Sequence, residues 1–273
     1  MLKLSLATLL LSIVGVGATH YPGYGLQHDD QSGLSLNGIP ASTRTYWMRM
    51  ASKAVGEIRG DPCSRYHFGA VVVNTTSNEL VCISANQVSL TGNPTLHGEI
   101  AALNRCTEVL AERGLSPLEI LDSWKDLSLY TTGEPCSMCS SAMRWAGLKE
   151  VIWATSIETV VNNGYPQIYL PSSAIVAASY SLPSHTAWYG NILSNETDLH
   201  FRHFFNESAP CPGEESGICE RVKEEGEQVS HCSPTREWRE AWEGRQGKWE
   251  QEMMKTRGHP DHSDHFHSSH DEL

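Results

Sequence analysis

The sequence predicts an α/β protein with helices laid against a central sheet, and three observations carry that expectation. Short β-rich runs alternate with segments of helical period between residues 42 and 205. The 273 residues are 40% hydrophobic and 19% charged, a globular balance with enough chain for one large domain or two small ones. No internal repeat interrupts the alternation.

Residues 1–18, "MLKLSLATLLLSIVGVGA", read as a secretory signal. Lys3 supplies the positive start, Leu4 to Val16 the apolar run, and Val16-Gly17-Ala18 the small-residue cleavage site. A membrane anchor is the alternative, but the run falls short of the roughly 20 residues a span needs. Residues 19–41 are turn-rich and read as an extended arm. A helix is expected from Ser42, with Trp47, Met50, Ala51, Ala54 and Ile58 on one face, broken by Gly60-Asp61-Pro62. "FGAVVVN" and "ELVCISAN" flank "TTSN" as a hairpin would. "LHGEIAALNRCTEVLAERG" has helical period, and "LSLYTT" reads as a strand. "PCSMCSSAMRWAG" opens a helix at a proline, a favoured first position, and "EVIWATS" reads as a further strand. Beyond Ile157 the pattern weakens, although "AIVAASYSL" is apolar enough for a core helix or strand.

From residue 206 the composition changes. Residues 206–233 form a charged, cysteine-bearing irregular segment. Residues 234–258 suit an amphipathic helix whose Trp238, Trp242, Trp249 and Met253 make a stripe for docking on the domain. Residues 259–273 hold five histidines and read as a solvated tail that ends in His270-Asp271-Glu272-Leu273, an ER-retention address. A retention tag works only on a chain that has entered the ER, so the two terminal signals support each other. Three sequons, at Asn74, Asn195 and Asn206, agree with that route, although unused sequons are common. The eight cysteines suit an oxidising compartment. A formal charge of −12 argues against a nucleic-acid partner, which needs a basic face.

The chemistry concentrates at "HGE" and "EPCSMC". His97, Cys136 and Cys139 offer one nitrogen and two sulfurs, a good ligand set for Zn²⁺. Cys136 and Cys139 lie one helical turn apart, at a helix start that favours thiolates. A closed structural site wants a fourth ligand, and Cys106 is the nearest candidate. At about 100° per residue it falls roughly on the face opposite His97, so it is a poor one. Three ligands leave an open position, and Glu99 stands where a proton carrier for that position belongs.

The pair H-x-E and P-C-x-x-C is the signature of zinc deaminases. Over roughly Ser42 to Ser156 the sequence resembles the cytidine/deoxycytidylate deaminase superfamily. "TGNPTLHGEIAAL" and "LYTTGEPCSMCSSAMRWAG" look most like its guanine deaminase, tRNA adenosine deaminase and fungal cytosine deaminase branches. The resemblance implies a three-layer α/β/α fold, a mixed sheet with helices on both faces. It implies zinc on His97, Cys136 and Cys139, and Glu99 as proton shuttle. It also assigns Asn86 to hydrogen bonding of the base, against the alternative of a turn asparagine. Trp145 would wall the pocket, with core packing as its alternative. The implied activity is hydrolytic deamination of a nucleobase, nucleoside or nucleotide.

Two other readings compete. A C-x-x-C at a helix start in the ER also suits a thiol–disulfide oxidoreductase, which leaves His97 and Glu99 unexplained. A catalytically silent zinc protein on a deaminase fold is the other. The expected partners are a small nucleobase or nucleoside and the ER retention receptor. Acidity disfavours tRNA, no membrane span is expected, and a homodimer stays open. Of the remaining cysteines, at least one disulfide is expected among Cys211, Cys219 and Cys232, while Cys82 and Cys106 read as buried free thiols.

Overall fold

The computed structural model describes residues 35–202, 206, 208–223 and 230–255, with side chains through Arg245. The signal, the His-rich tail and its HDEL end, and most of the arm lie outside the described residues. The part of the arm that is described forms a two-strand hairpin, β1 (Ser35–Leu36) and β2 (Ile39–Pro40), and feeds α1 (Ala41–Arg59).

Then come β3 (Gly69–Asn74), β4 (Leu80–Ala85), the short α2 (Val88–Thr91), α3 (Gly98–Glu112) and α4 (Pro117–Ser123). After β5 (Leu127–Gly133) follow α5 (Ser137–Ala146), β6 (Glu150–Thr155), α6 (Ile157–Asn162) and α7 (Ser172–Ala178). The strand β7 (Ala187–Tyr189) completes the sheet, before α8 (Ser194–Thr197) and α9 (Leu199–Arg202). The sheet order is β4-β3-β5-β6-β7, antiparallel on both sides of β3 and parallel from β5 onward. This is the mixed α/β sheet with helices that the sequence predicts.

Alternation along the strands builds two cores. Val71 and Val73 of β3, with Tyr130, Ile152 and Ala154, face Trp47, Met48, Ala51 and Ala54 of α1. Ala70 and Val72, with Leu129 and Val151, face the other way, toward Cys106, Val109 and Met143 of α3 and α5. Both faces are covered, so the strands read as near-continuous apolar runs. At the N-terminal end of β6 the fully buried Glu150 pairs with Arg44 at 2.7 Å and also accepts from Asn37 and Ser128. Arg44 donates as well to Tyr130 Oη and to Leu36 O, tying the β1–β2 hairpin to the sheet.

Several expectations need correction. Cys82 and Cys106 are not free thiols: they form a disulfide between β4 and α3, 24 residues apart. Two apolar environments on facing elements brought the sulfurs together. "AIVAASYSL" is no core element; α7 takes its first part and lies half-exposed at the surface. Residues 206–233 are less irregular than their composition suggests, because β8 (Cys219–Val222) and β9 (His231–Pro234) pair there. Disulfides Cys211–Cys232 and Cys63–Cys219 hold that hairpin, the second tying it to the loop after α1. The final helix, α10 (Arg236–Lys255), docks Trp238 and Trp242, while the side chains of Trp249 and Met253 lie outside the described residues.

A buried N/S/S cluster with a carboxylate

Sheet register brings the two motifs together. Ala85 at the end of β4 lies opposite Gly69, and Thr131 near the end of β5 lies opposite the adjacent Ala70. The loops that follow both strands therefore leave the same edge. Each then opens a helix whose first flanking residue is a candidate ligand: His97 is the N-cap of α3 and Cys136 the N-cap of α5. N-cap side chains usually accept from their own helix. Neither of these does, which leaves ring and sulfur free to point at a common centre.

The donor atoms of His97, Cys136 and Cys139 lie within 4.8 Å of one another, the one such group of three among the described residues. Cys136 Sγ and His97 Nδ1 are 3.7 Å apart. A tetrahedral Zn²⁺ with usual bond lengths holds nitrogen and sulfur roughly 3.6 Å apart, so the residues fit that ion. Cys106 offers no fourth bond, since its sulfur is spent on Cys82. Cys136 and Cys139 are the free cysteines among the described residues.

The electrostatics agree with a thiolate centre. A hydrogen bond from the Cys139 thiol, opposed by burial and helped by His97, pulls the Cys136 thiol down to about 4. Cys139 moves up, first through that same hydrogen bond and then through burial. The bond to Cys136 raises His97. Burial, then the nearby Cys136 charge, pushes the Glu99 carboxyl up to about 7. Glu99 is 3% exposed in the first turn of α3, beside the cluster but outside it.

Asn86 follows β4 and is 5% exposed. Its Oδ1 accepts from Val88 N, an asparagine-turn contact, and its own N–H donates to Phe68 O at 2.7 Å. Among the described residues the Asn86 Nδ2 donor meets no acceptor. A Cβ on Gly98 would stand 2.6 Å from Phe68 O and 3.4 Å from Asn86 N. Between His97 and Glu99 only glycine admits this approach, which sets Asn86 beside the ligand helix. Trp145, on α5, is 76% exposed rather than packed in the core. The aromatic beside the motifs is Phe68, whose ring lies against Gly133 and packs on Tyr165 and Phe201.

Sequence reasoning missed Glu134. It is buried, and its carboxylate accepts from Ile157 N, Ser172 N and Ser172 Oγ at 2.7–2.9 Å. It thus anchors the P-C-x-x-C loop to the starts of α6 and α7. A carboxylate just before the helix-opening proline was the available signal.

Residues 41–155, which hold the cluster and Glu99, match the family model described as the cytidine and deoxycytidylate deaminase zinc-binding region. Zinc is the cofactor for which that region is named. Among curated relatives, the guanine deaminase of Bacillus subtilis is 30% identical over 103 residues, 38% of this chain and 59% of its own length. The probable cytosine deaminase of Schizosaccharomyces pombe is 28% identical over 138 residues, 49% of this chain and 76% of its own length. The tRNA-specific adenosine deaminase of Rickettsia bellii is 30% identical over 88 residues, covering 32% of this chain and 54% of its own length. The matches thus span little more than half of the Bacillus and Rickettsia proteins. A solved guanine deaminase from Nitrosomonas europaea aligns with 63% of this chain and 86% of its own, at 18% identity and a TM-score of 0.44, too weak a likeness to add weight. These relatives are deaminases, and nothing among them favours a thiol–disulfide oxidoreductase.

Proposed function

We propose that the protein is a hydrolytic deaminase of a free nucleobase or nucleoside. One observation carries the reading: a three-donor N/S/S cluster, with no fourth protein ligand in its group among the described residues, lies beside a buried carboxylate. When bound, zinc makes a water molecule acidic enough to supply hydroxide near neutral pH. The chain's own residues do the rest. His97, Cys136 and Cys139 hold the metal at the mouths of two helices. Glu99 accepts one proton from the water and passes it to the ring nitrogen of the base, then takes the second from the added hydroxyl and delivers it to the departing amine. Water and an amidine-type carbon become a carbonyl and ammonia. Asn86 Nδ2 is free to donate to an acceptor on the base, which favours a ring carrying a carbonyl or unprotonated nitrogen.

The acidity of this chain favours a free base or nucleoside over tRNA. Incubation of the purified protein with guanine, cytosine, cytidine, adenosine and dCMP, reading ammonia, tests the class. Release from at least one of them is expected. No release by a zinc-loaded protein leaves the catalytically silent reading. Thiol counting around chelation tests the redox rival: one zinc per chain and two thiols that titrate only after chelation support the deaminase. A metal-free protein with a reversible Cys136–Cys139 disulfide supports the oxidoreductase.

We further infer an ER-lumenal address. Six of the eight cysteines form disulfides, as an oxidising compartment allows, and the two left free are the metal ligands. Asn195 and Asn206 are exposed, as glycan acceptors must be, whereas Asn74 is half-buried with its Oδ1 closing a turn. Deleting His270 to Leu273 should convert a retained glycoprotein into one secreted into the medium. Retention at unchanged levels would remove the role given to the tag.

A further inference from the structure

We propose that Arg59 is a positioning residue for Asn86, and that the disulfide-bonded C-terminal extension keeps Arg59 in place. The inference rests on the reading of Asn86 as a contact to the base.

Arg59 is the last residue of α1. Its guanidinium reaches across to the loop after β4, where Nη1 donates to Asn86 O and Nη2 donates to Ser89 Oγ at 3.1 Å. It also stands 5.9 Å from the ring of Tyr66. Asn86 is therefore gripped from two directions: Phe68 O holds its amide and Arg59 holds its carbonyl. With both backbone groups fixed and Oδ1 spent on Val88 N, the side-chain amide has one orientation in which to present Nδ2.

Arg59 itself sits on the last turn of a helix, where the final carbonyls lack intrahelical partners and fraying begins. The extension covers that turn. Trp238 packs where a Cβ on Gly56 would be 2.9 Å from its ring, and Trp242 packs likewise on Gly60 at 3.1 Å. Any larger residue at either glycine would push a tryptophan off. Trp242 Nε1 donates to Glu57 O at 3.4 Å, and Arg245 pairs with the Glu57 carboxylate at 3.1 Å. Four residues past Arg59, Cys63 is joined to Cys219 of the β8–β9 hairpin. The helix end is held between the extension on one side and the Asn86 loop on the other. Elements remote in sequence thus converge on one side-chain amide, and a site contact of this kind is as precise as its support.

The test uses the full-length, zinc-loaded protein with Arg59→Met, Arg59→Lys and the Cys63→Ser/Cys219→Ser pair. Hydrogen exchange is followed at residues 86–96, alongside zinc content and the separate kcat and KM for whichever base the wild type turns over. Arg59→Met should speed exchange in that segment and raise KM about 10-fold, the low end for outer-shell partners, with kcat within a few-fold. Zinc should remain at one per chain, and Arg59→Lys should recover part of the KM. The cysteine pair should reproduce both changes more weakly. Unchanged exchange at 86–96, or loss of zinc in step with the KM change, overturns the proposal in favour of a merely structural arginine. If the wild type deaminates nothing, the functional reading fails, and the exchange data still decide whether Arg59 and the extension fix the Asn86 loop.

Discussion

Two buried glutamates sit at opposite ends of one sheet, in opposite surroundings. Glu150, at the start of β6, is fully buried and receives hydrogen bonds from Arg44, Asn37 and Ser128. Glu99, at the edge where β4 and β5 end, is almost as buried, yet among the described residues no arginine or lysine pairs with it. Its company is His97, Cys136 and Cys139. A buried charge that is paired and hydrogen-bonded belongs to the architecture; one kept without a counter-ion is costly, and is retained where chemistry needs it. The electrostatics divide them the same way. Burial would raise Glu150, but hydrogen bonds from Arg44 and then Asn37 outweigh it and hold the carboxyl below its ordinary value of 4.5. Glu99 is raised.

Conservative amide substitutions should separate the two roles. Glu99→Gln should lower kcat by about 10³-fold or more, within the range for loss of a general acid–base, while zinc and thermal stability persist. Glu150→Gln should do the reverse, leaving Arg44 as an uncompensated buried cation at a cost of about 3–5 kcal/mol. Calorimetry and steady-state rates on both variants check this. Equal loss of activity with equal loss of stability would collapse the distinction.

Acid titration sharpens the comparison. Because the folded Glu150 carboxyl is depressed, its contribution is fully present above the unfolded value near 4.5 and is lost as pH falls through the folded value. The wild type should therefore lose melting temperature on acidification below that point more steeply than Glu150→Gln does. Parallel curves would mean that the Arg44 pair is not the acid-sensitive element.

Legibility followed the same divide. The grouping of His97, Cys136 and Cys139 near Glu99 could be read because it is carried by residue type at short spacing, and the strands because both faces are apolar. The Arg44–Glu150 pair could not, since its partners are 106 residues apart and each reads locally as an ordinary surface charge. Cys82 and Cys106 show reading at half strength. The helical turn count placed Cys106 away from His97, and that side of α3 is the one facing β4, but nothing local named Cys82 as the partner. Trp145 came only by family resemblance, and the fold places it on the outward face of α5.

The Cys82–Cys106 bridge lies behind the helix that carries both His97 and Glu99, so it belongs to the architectural side of the contrast. It closes a loop spanning 24 residues, for which unfolded-chain entropy gives about 3 kcal/mol. Cys82→Ser/Cys106→Ser should lose about that much stability in denaturant melts and should keep its zinc, because the ligand loops are anchored independently by Gly98 against Phe68 and by Glu134. Loss of metal in the folded variant would instead tie the bridge to the site.

The smallest effect is expected at Trp145. A tryptophan in a pocket wall would lose substrate affinity on truncation, and one in the core would cost about 3–5 kcal/mol. Trp145 is 76% exposed on the outer face of α5, while its helical neighbours Met143 and Arg144 are buried. Arg144 donates to Ser179 and Thr186 and so holds the connection to β7 without help from the tryptophan. Trp145→Ser should therefore change stability by no more than about 0.5 kcal/mol and leave KM where it was. A severalfold rise in KM with unchanged stability would mean that this face closes over the base in the working enzyme, as the family resemblance implies.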